Sequence, residues 1–195
     1  MRELFLSASI PQPDSGRFFD DANPFLIQFA VRELVTAVLG RRRIIFGGHP
    51  AITPMIWAVC EDLGVSYATG VVIYQSKFFT ESFPAENSRF RNVEYIDEIP
   101  GDREASLLRM REAMLSRADL DAAVFIGGMQ GVMNEHAMFE RFHPDANVIA
   151  VSAPGGAARE LAQQIRGGGQ PGHPDIDFVR LFHERLNISP NEPRL

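Results

Sequence analysis

Three times along this chain an apolar run stops at a pair of glycines and a helical pattern starts just beyond. The runs are Ile44-Ile45-Phe46-Gly47-Gly48-His49-Pro50, Val124-Phe125-Ile126-Gly127-Gly128-Met129-Gln130-Gly131 and Asn147 to Ala153 followed by Pro154-Gly155-Gly156. Short apolar runs of this kind read as strands buried on both faces, the signature of parallel sheets covered by helices. The order therefore predicts an α/β fold, a three-layer Rossmann-like domain with a mainly parallel sheet flanked by helices. In such sheets ligands bind at the carboxyl edge where the strand order reverses, and all three glycine bends fall on that edge.

The remaining elements follow from local signals. Leu4 to Ile10 reads as the first strand, running into a loop from Ser9 to Asp21 in which Pro11, Pro13 and Gly16 disfavour regular structure. Asn23-Pro24 starts a helix that runs to Leu39 before Gly40, and Thr53-Pro54 caps a second one reaching Asp62. Val65 to Tyr74 and Val93 to Ile96 read as further strands. Gly101 to Arg117 reads as an amphipathic helix with Leu107, Leu108, Met110, Met114 and Leu115 on its apolar face. A helix from Gly131 to Phe142 follows the second bend, another ends near Gly167-Gly168-Gly169, and a last one spans Ile176 to Leu186. Arg41-Arg42-Arg43 reads as a solvated helix end that complements the helix dipole. A single domain over residues 1–195 is expected, with the tail 187–195 frayed.

Composition narrows the function. The formal net charge of -6 disfavours nucleic acid as a partner, although a small nucleotide needs only a local positive pocket. No signal peptide or membrane span is readable, so a cytoplasmic location is expected. Cys60 is the only cysteine and reads as a core residue. The histidines His49, His136, His143, His173 and His183 show no metal-ligand spacing, no GxSxG elbow occurs, and neither a metal nor a cofactor is expected.

The candidate site is drawn from the strand ends. The helix starting near Gly131 presents N–H groups and a positive dipole end to an anion, with Gly127, Gly128, Met129, Gln130 and Gly131 forming the bend and Glu135 about one turn in. Ser7 and Ser9 bring hydroxyls suited to phosphate or ribose, and Arg17 can pair with phosphate through two hydrogen bonds. Gly47, Gly48, His49 and Thr53 form a second loop, with His49 as a donor or a charge that switches near neutral pH. His136, adjacent to Glu135 in the helix, points elsewhere and reads as peripheral.

These loops match neither GxGxxG nor GxxxxGK[ST]. The stretch Ile126 to Glu135, with Phe5-Leu6-Ser7-Ala8-Ser9 and Phe46 to Pro54, instead resembles the SLOG superfamily, a Rossmann-like group whose LOG members are phosphoribohydrolases with a PGGxGTxxE motif. Relative to that motif, Ile126 stands for the proline, Val132 for the threonine, and Met129 or Gln130 is an extra residue. The resemblance implies that Glu135 is the hydrolases' carboxylate near the ribose. The arginine paired with that carboxylate has no motif-secured counterpart, leaving Arg109, Arg111 and Arg117 as positional candidates. The Gly-Gly-His-Pro loop is similar to that of bacterial SLOG proteins of antiviral defence, which implies sensing of NAD, ADP-ribose or cyclic nucleotide derivatives.

Three functions are thus expected in order: a sensor of a nucleotide-derived ligand, an N-glycoside hydrolase using Glu135, and an assembly subunit with the aromatic stretch Phe78 to Phe83 packed across an interface. A homodimer or higher homo-oligomer is expected in each case.

Overall fold

The computed structural model describes residues 2–165 and 176–195. Six strands form one sheet: β1 (Glu3–Ser9), β2 (Arg43–Phe46), β3 (Val71–Ser76), β4 (Asn92–Ile96), β5 (Leu120–Gly127) and β6 (Asn147–Val151). Every neighbouring pair is parallel, in the order β4-β3-β2-β1-β5-β6. The helices are α1 (Arg17–Asp21), α2 (Pro24–Val38), α3 (Thr53–Leu63), α4 (Arg103–Leu115), α5 (Gln130–Phe142), α6 (Ala157–Ile165) and α7 (Phe178–Arg185), with 3-10 turns between some of them. The α/β three-layer expectation holds. Among the described residues no helix is long and apolar enough to cross a membrane. The Gly167-Gly168-Gly169 helix end and His173 lie outside the described residues.

Two buried clusters show how the layers are built. Leu4 and Leu6 of β1 pack with α2, α3 and α7 on one face, whereas Phe5 packs with α4, α5 and α6 on the other. Side chains alternate along a strand, so Glu3, Ser7 and Ser9 share Phe5's face, where Glu3 meets Arg117 just beyond α4 and Ser7 meets Glu135 of α5. The central strands are buried on both sides, but β4 at the edge is largely half-exposed. Cys60 is buried, and burial, then the charge of Glu61, pushes its thiol up to about 11, so it stays protonated and inert.

Several expectations need correction. The Ser9 to Asp21 stretch contains a 3-10 turn, Pro13–Ser15, and then α1, because Gly16 redirects the chain and lets Phe18 pack against the second cluster. Residues Val65–Gly70 are a 3-10 turn rather than strand, closed by Tyr67 N–H on Gly64 O at 3.0 Å and Thr69 Oγ1 on Ser66 O at 2.9 Å. Thr53 is the first residue of α3 rather than its cap. Its backbone N–H and Oγ1 both donate to His49 O, at 3.0 and 3.1 Å. Leu108 is 47% exposed and lies off the buried face of α4, which is made by Met110, Met114 and Leu115.

The tail and the arginine run also differ from expectation, and for one shared reason. Arg41 Nε donates to Glu192 O at 2.7 Å, Arg42 pairs with Glu192, and Arg194 donates to Thr36 O and Leu39 O at the end of α2. Leu195 N–H donates to Gly40 O at 2.7 Å. The tail is therefore docked on the carbonyl end of α2, where guanidinium groups satisfy carbonyls that have no partner within the helix. Arg43 turns instead to the fully buried Glu3, which also receives Arg117 at 2.6 and 2.7 Å. Burial by itself would raise the Glu3 carboxyl, but Arg117 and then Arg43 outweigh it and hold it below the ordinary carboxylate value.

Candidate functional site

The strand order reverses between β1 and β5, and Ser9 faces Gly127 on the last rung of that pair. There the chain turns through Gly127 and Gly128, at φ 62° and 78°, a region L side chains rarely adopt. Gly128 N–H donates to Ser9 O at 2.9 Å and locks the turn to β1. A Cβ on Gly127 would come within 2.9 Å of Ser9 O, and one on Gly128 would overlap Val132 Cγ2. Val132, where the LOG pattern has threonine, is thus a buried filler beneath the bend. Met129 is the N-cap of α5 in extended conformation and makes no side-chain capping bond. The N terminus of α5 therefore reaches the reversal without a side-chain cap, where its dipole and first amides favour an anion.

Glu135 points back from α5 to this place. Ser7 Oγ donates to its Oε2 at 2.6 Å, and Arg111 Nε donates to its Oε1 at 3.1 Å. The Arg111 and Glu135 side chains are only 11% and 16% exposed. Both carboxylate oxygens are thus held, one by β1 and one by α4, so Glu135 has a fixed direction. Gly131 explains itself by space: a Cβ there would lie 3.1 Å from Arg111 Nη2, so the guanidinium lies against the first turn of α5. Of the three positional candidates for the arginine, Arg111 alone meets Glu135. Arg109 is exposed, and its charge acts on Asp97. Arg117 is at the opposite edge with Glu3 and donates to Tyr74 Oη at 2.9 Å.

The other loops contribute differently. Gly48 O accepts from Gln75 Nε2 at 2.6 Å, which ties the β2 bend to β3. His49 Nδ1 accepts from Ala51 N–H at 3.1 Å, and burial holds its ring below the ordinary histidine value. It is therefore a neutral ring with Nε2 left as a donor. The third bend is filled from within. Asp21 at the end of α1 accepts Gly156 N–H at 3.1 Å and pairs with Arg159, while Arg159 also holds Ser152 O and Ala153 O at 3.0 Å. Asp21 carries no sequence signal, because the five-residue α1 shows no periodicity, and nothing in the α6 pattern marks Arg159 as its partner. Arg17 is not beside Glu135: it pairs with Glu160 on α6. Ser15 Oγ lies 2.8 Å from Met129 Sδ, and Gln130 Nε2 is 3.3 Å from Asn134 Oδ1. His136 is not a surface residue, since its ring packs edge-on against Phe125, and burial lowers its pKa despite Glu140. Among the described residues no group of His, Cys, Asp and Glu is disposed to hold a metal ion.

The profile of the SLOG cluster3 family matches residues 17–186. The chain belongs to the SLOG cluster3 family. A search among curated proteins finds no match to it. In this SLOG protein the first-strand serine, the glycine bend and the glutamate converge at the sheet reversal. The guanidinium that meets Glu135 comes from α4, as Arg111.

Proposed function

We propose that this SLOG protein binds a nucleotide-derived small molecule, of the NAD, ADP-ribose or cyclic nucleotide class, at the carboxyl edge between β1 and β5. The observation that supports this best is the Ser7–Glu135–Arg111 bridge beside the α5 N terminus. A carboxylate fixed next to a helix N terminus offers an acceptor for ribose hydroxyls, and the helix N terminus offers positive potential for phosphate, while Arg111 holds the carboxylate in place. With a net charge of -6, a local helix-end site rather than a basic surface is the relevant feature. The test is a thermal-shift screen against AMP, ADP-ribose, NAD, cyclic ADP-ribose isomers and cyclic nucleotides, with each mixture then analysed by mass spectrometry. Stabilisation with the compound recovered intact is the expected result, and no shift with any of them overturns the reading.

A second reading is hydrolysis of the N-glycosidic bond, and the Arg111–Glu135 contact favours it. In that chemistry water attacks C1′ of the ribose, the C1′–N bond breaks, and the base leaves with the bonding pair and takes up a proton. Glu135 would accept the proton from water or stabilise the oxocarbenium-like centre. Glu135→Gln separates the two readings: turnover is lost in a hydrolase, while a sensor keeps much of its affinity.

A further inference from the structure

Residues 10–22 cross the carboxyl edge as a strap that touches the loops after β5 and β6. One end is firmly held: Asp21 takes Gly156 N–H and Arg159, Asn23 N–H donates to Pro154 O at 2.8 Å, and Phe18 packs against the second cluster. The side chain of the first residue of α1, in contrast, is held lightly. Arg17 is 72% exposed and its guanidinium meets Glu160, itself 35% exposed, through two contacts, Nε to Oε1 at 2.9 Å and Nη2 to Oε2 at 3.1 Å.

Three observations give this pair a role. Its two-point geometry is the one a guanidinium offers to phosphate oxygens as well as to a carboxylate. Exposed ion pairs contribute little, so exchanging the partner costs little. The position is also suitable, because α6 starts where Ala157 N–H donates to Gly128 O at 3.0 Å, and Glu160 lies three residues on, about 4.5 Å along the helix. A glycine stands immediately before the arginine, at the start of α1. Gly16 has φ 55° and ψ −130°, yet a Cβ there would meet nothing within 4 Å, so only its backbone conformation calls for glycine.

Building on the ligand reading above, we propose that Arg17 is a phosphate clamp held in reserve by Glu160. When a phosphate-bearing nucleotide occupies the β1–β5 reversal, the guanidinium leaves the Glu160 carboxylate for phosphate oxygens by rotation of the long Arg17 side chain, while α1 stays anchored through Phe18 and Asp21. Glu160 is then a competitor of the ligand, and the clamp selects phosphorylated ligands over nucleosides.

The test is calorimetric titration of ADP-ribose, with adenosine as the probe lacking phosphate, into the wild type, Arg17→Gln, Glu160→Gln and the double variant. Melting curves serve to check that all four fold. Arg17→Gln should weaken ADP-ribose about ten-fold, and Glu160→Gln should tighten it several-fold. The double variant should match Arg17→Gln, and adenosine should be indifferent to all three changes. Tightening by Glu160→Gln that persists without Arg17 overturns the clamp, since it reports only a general loss of negative charge. Equal binding of ADP-ribose by all four proteins overturns the clamp and leaves the ligand reading standing. No binding of ADP-ribose by any of them also overturns the clamp, and the wider screen above then decides whether the ligand reading falls with it.

Discussion

At the scale of single residues, two glycines a few positions apart answer to different physics. Gly128 has φ 78° and its missing Cβ is where Val132 packs, so Gly128→Ala should cost about 1–3 kcal/mol of stability, read as a lower denaturant midpoint. Gly131 is helical, and only the Arg111 guanidinium crowds it. Gly131→Ala should therefore leave the melting temperature unchanged or slightly raised, because alanine favours the helix by about 1 kcal/mol. The same change nudges the Arg111 guanidinium by a few tenths of an ångström while leaving it on Glu135, so under the ligand reading it should weaken binding, which titration would show. The Glu135 bridge behaves as a unit. Arg111→Met or Glu135→Leu alone should each destabilise by roughly 2–3 kcal/mol, since either leaves a charged partner poorly solvated. Both together should cost clearly less than the sum, and a double-mutant cycle on urea melts measures the difference. Ser7, the glycines and Glu135 were legible in the sequence because they sit at strand ends and in a motif. Arg111 was not singled out, because choosing among Arg109, Arg111 and Arg117 requires knowing which side of α4 faces α5.

At the scale of elements, strength is unequal. α2 owes its N terminus to Asn23, whose side chain accepts Leu26 N–H at 3.1 Å, and its C terminus to the distant Arg194. Arg194→Ala should thus loosen the last turn of α2 and the tail together, seen as faster amide exchange at Val38 to Gly40 with little change in the β1–β5 site. Helix α2 and the strands around the glycine bends could be read from pattern, as could the N termini of α2 and α5. The tail's docking could not, for it depends on arginines meeting carbonyls about 150 residues away. The same limit applies to α1, whose five residues are held by partners far along the chain rather than by any periodic face. The turn at Val65–Gly70 misled because valine and tyrosine suit a strand, whereas Gly64 and Gly70 at its ends and its own hydroxyl bonds bent it.

At the scale of the whole molecule, the response to acid follows from which groups resist protonation in the fold. His49 and His136 both have lowered pKa values, each chiefly through burial. Their contribution is complete above the ordinary histidine value near 6.5 and is lost as pH falls from there through their folded values. The unfolded chain takes up protons in that range that the folded one refuses. Glu3 behaves likewise lower down, its contribution being present above the ordinary carboxylate value and lost as pH falls through its lowered one. Stability from urea melts should therefore decline from about pH 6.5 downward, by no more than about 1.4 kcal/mol per pH unit for each histidine. It should fall again below about pH 4.5, where Glu3 takes over. A His49→Gln, His136→Gln variant should flatten the first decline and keep the second. The alternation along β1 joins these observations. Glu3 and Ser7 lie on one side of the same strand, one binding Arg117 at the amino edge and the other Glu135 at the carboxyl edge. A pairing slip of one residue would turn both away at once and bring Leu4 and Leu6 to their side. Misassembly of the sheet would then cost the buried anchor and the Ser7–Glu135 bridge in a single event, so a chain that has folded stably has already tested the alignment of both ends of β1.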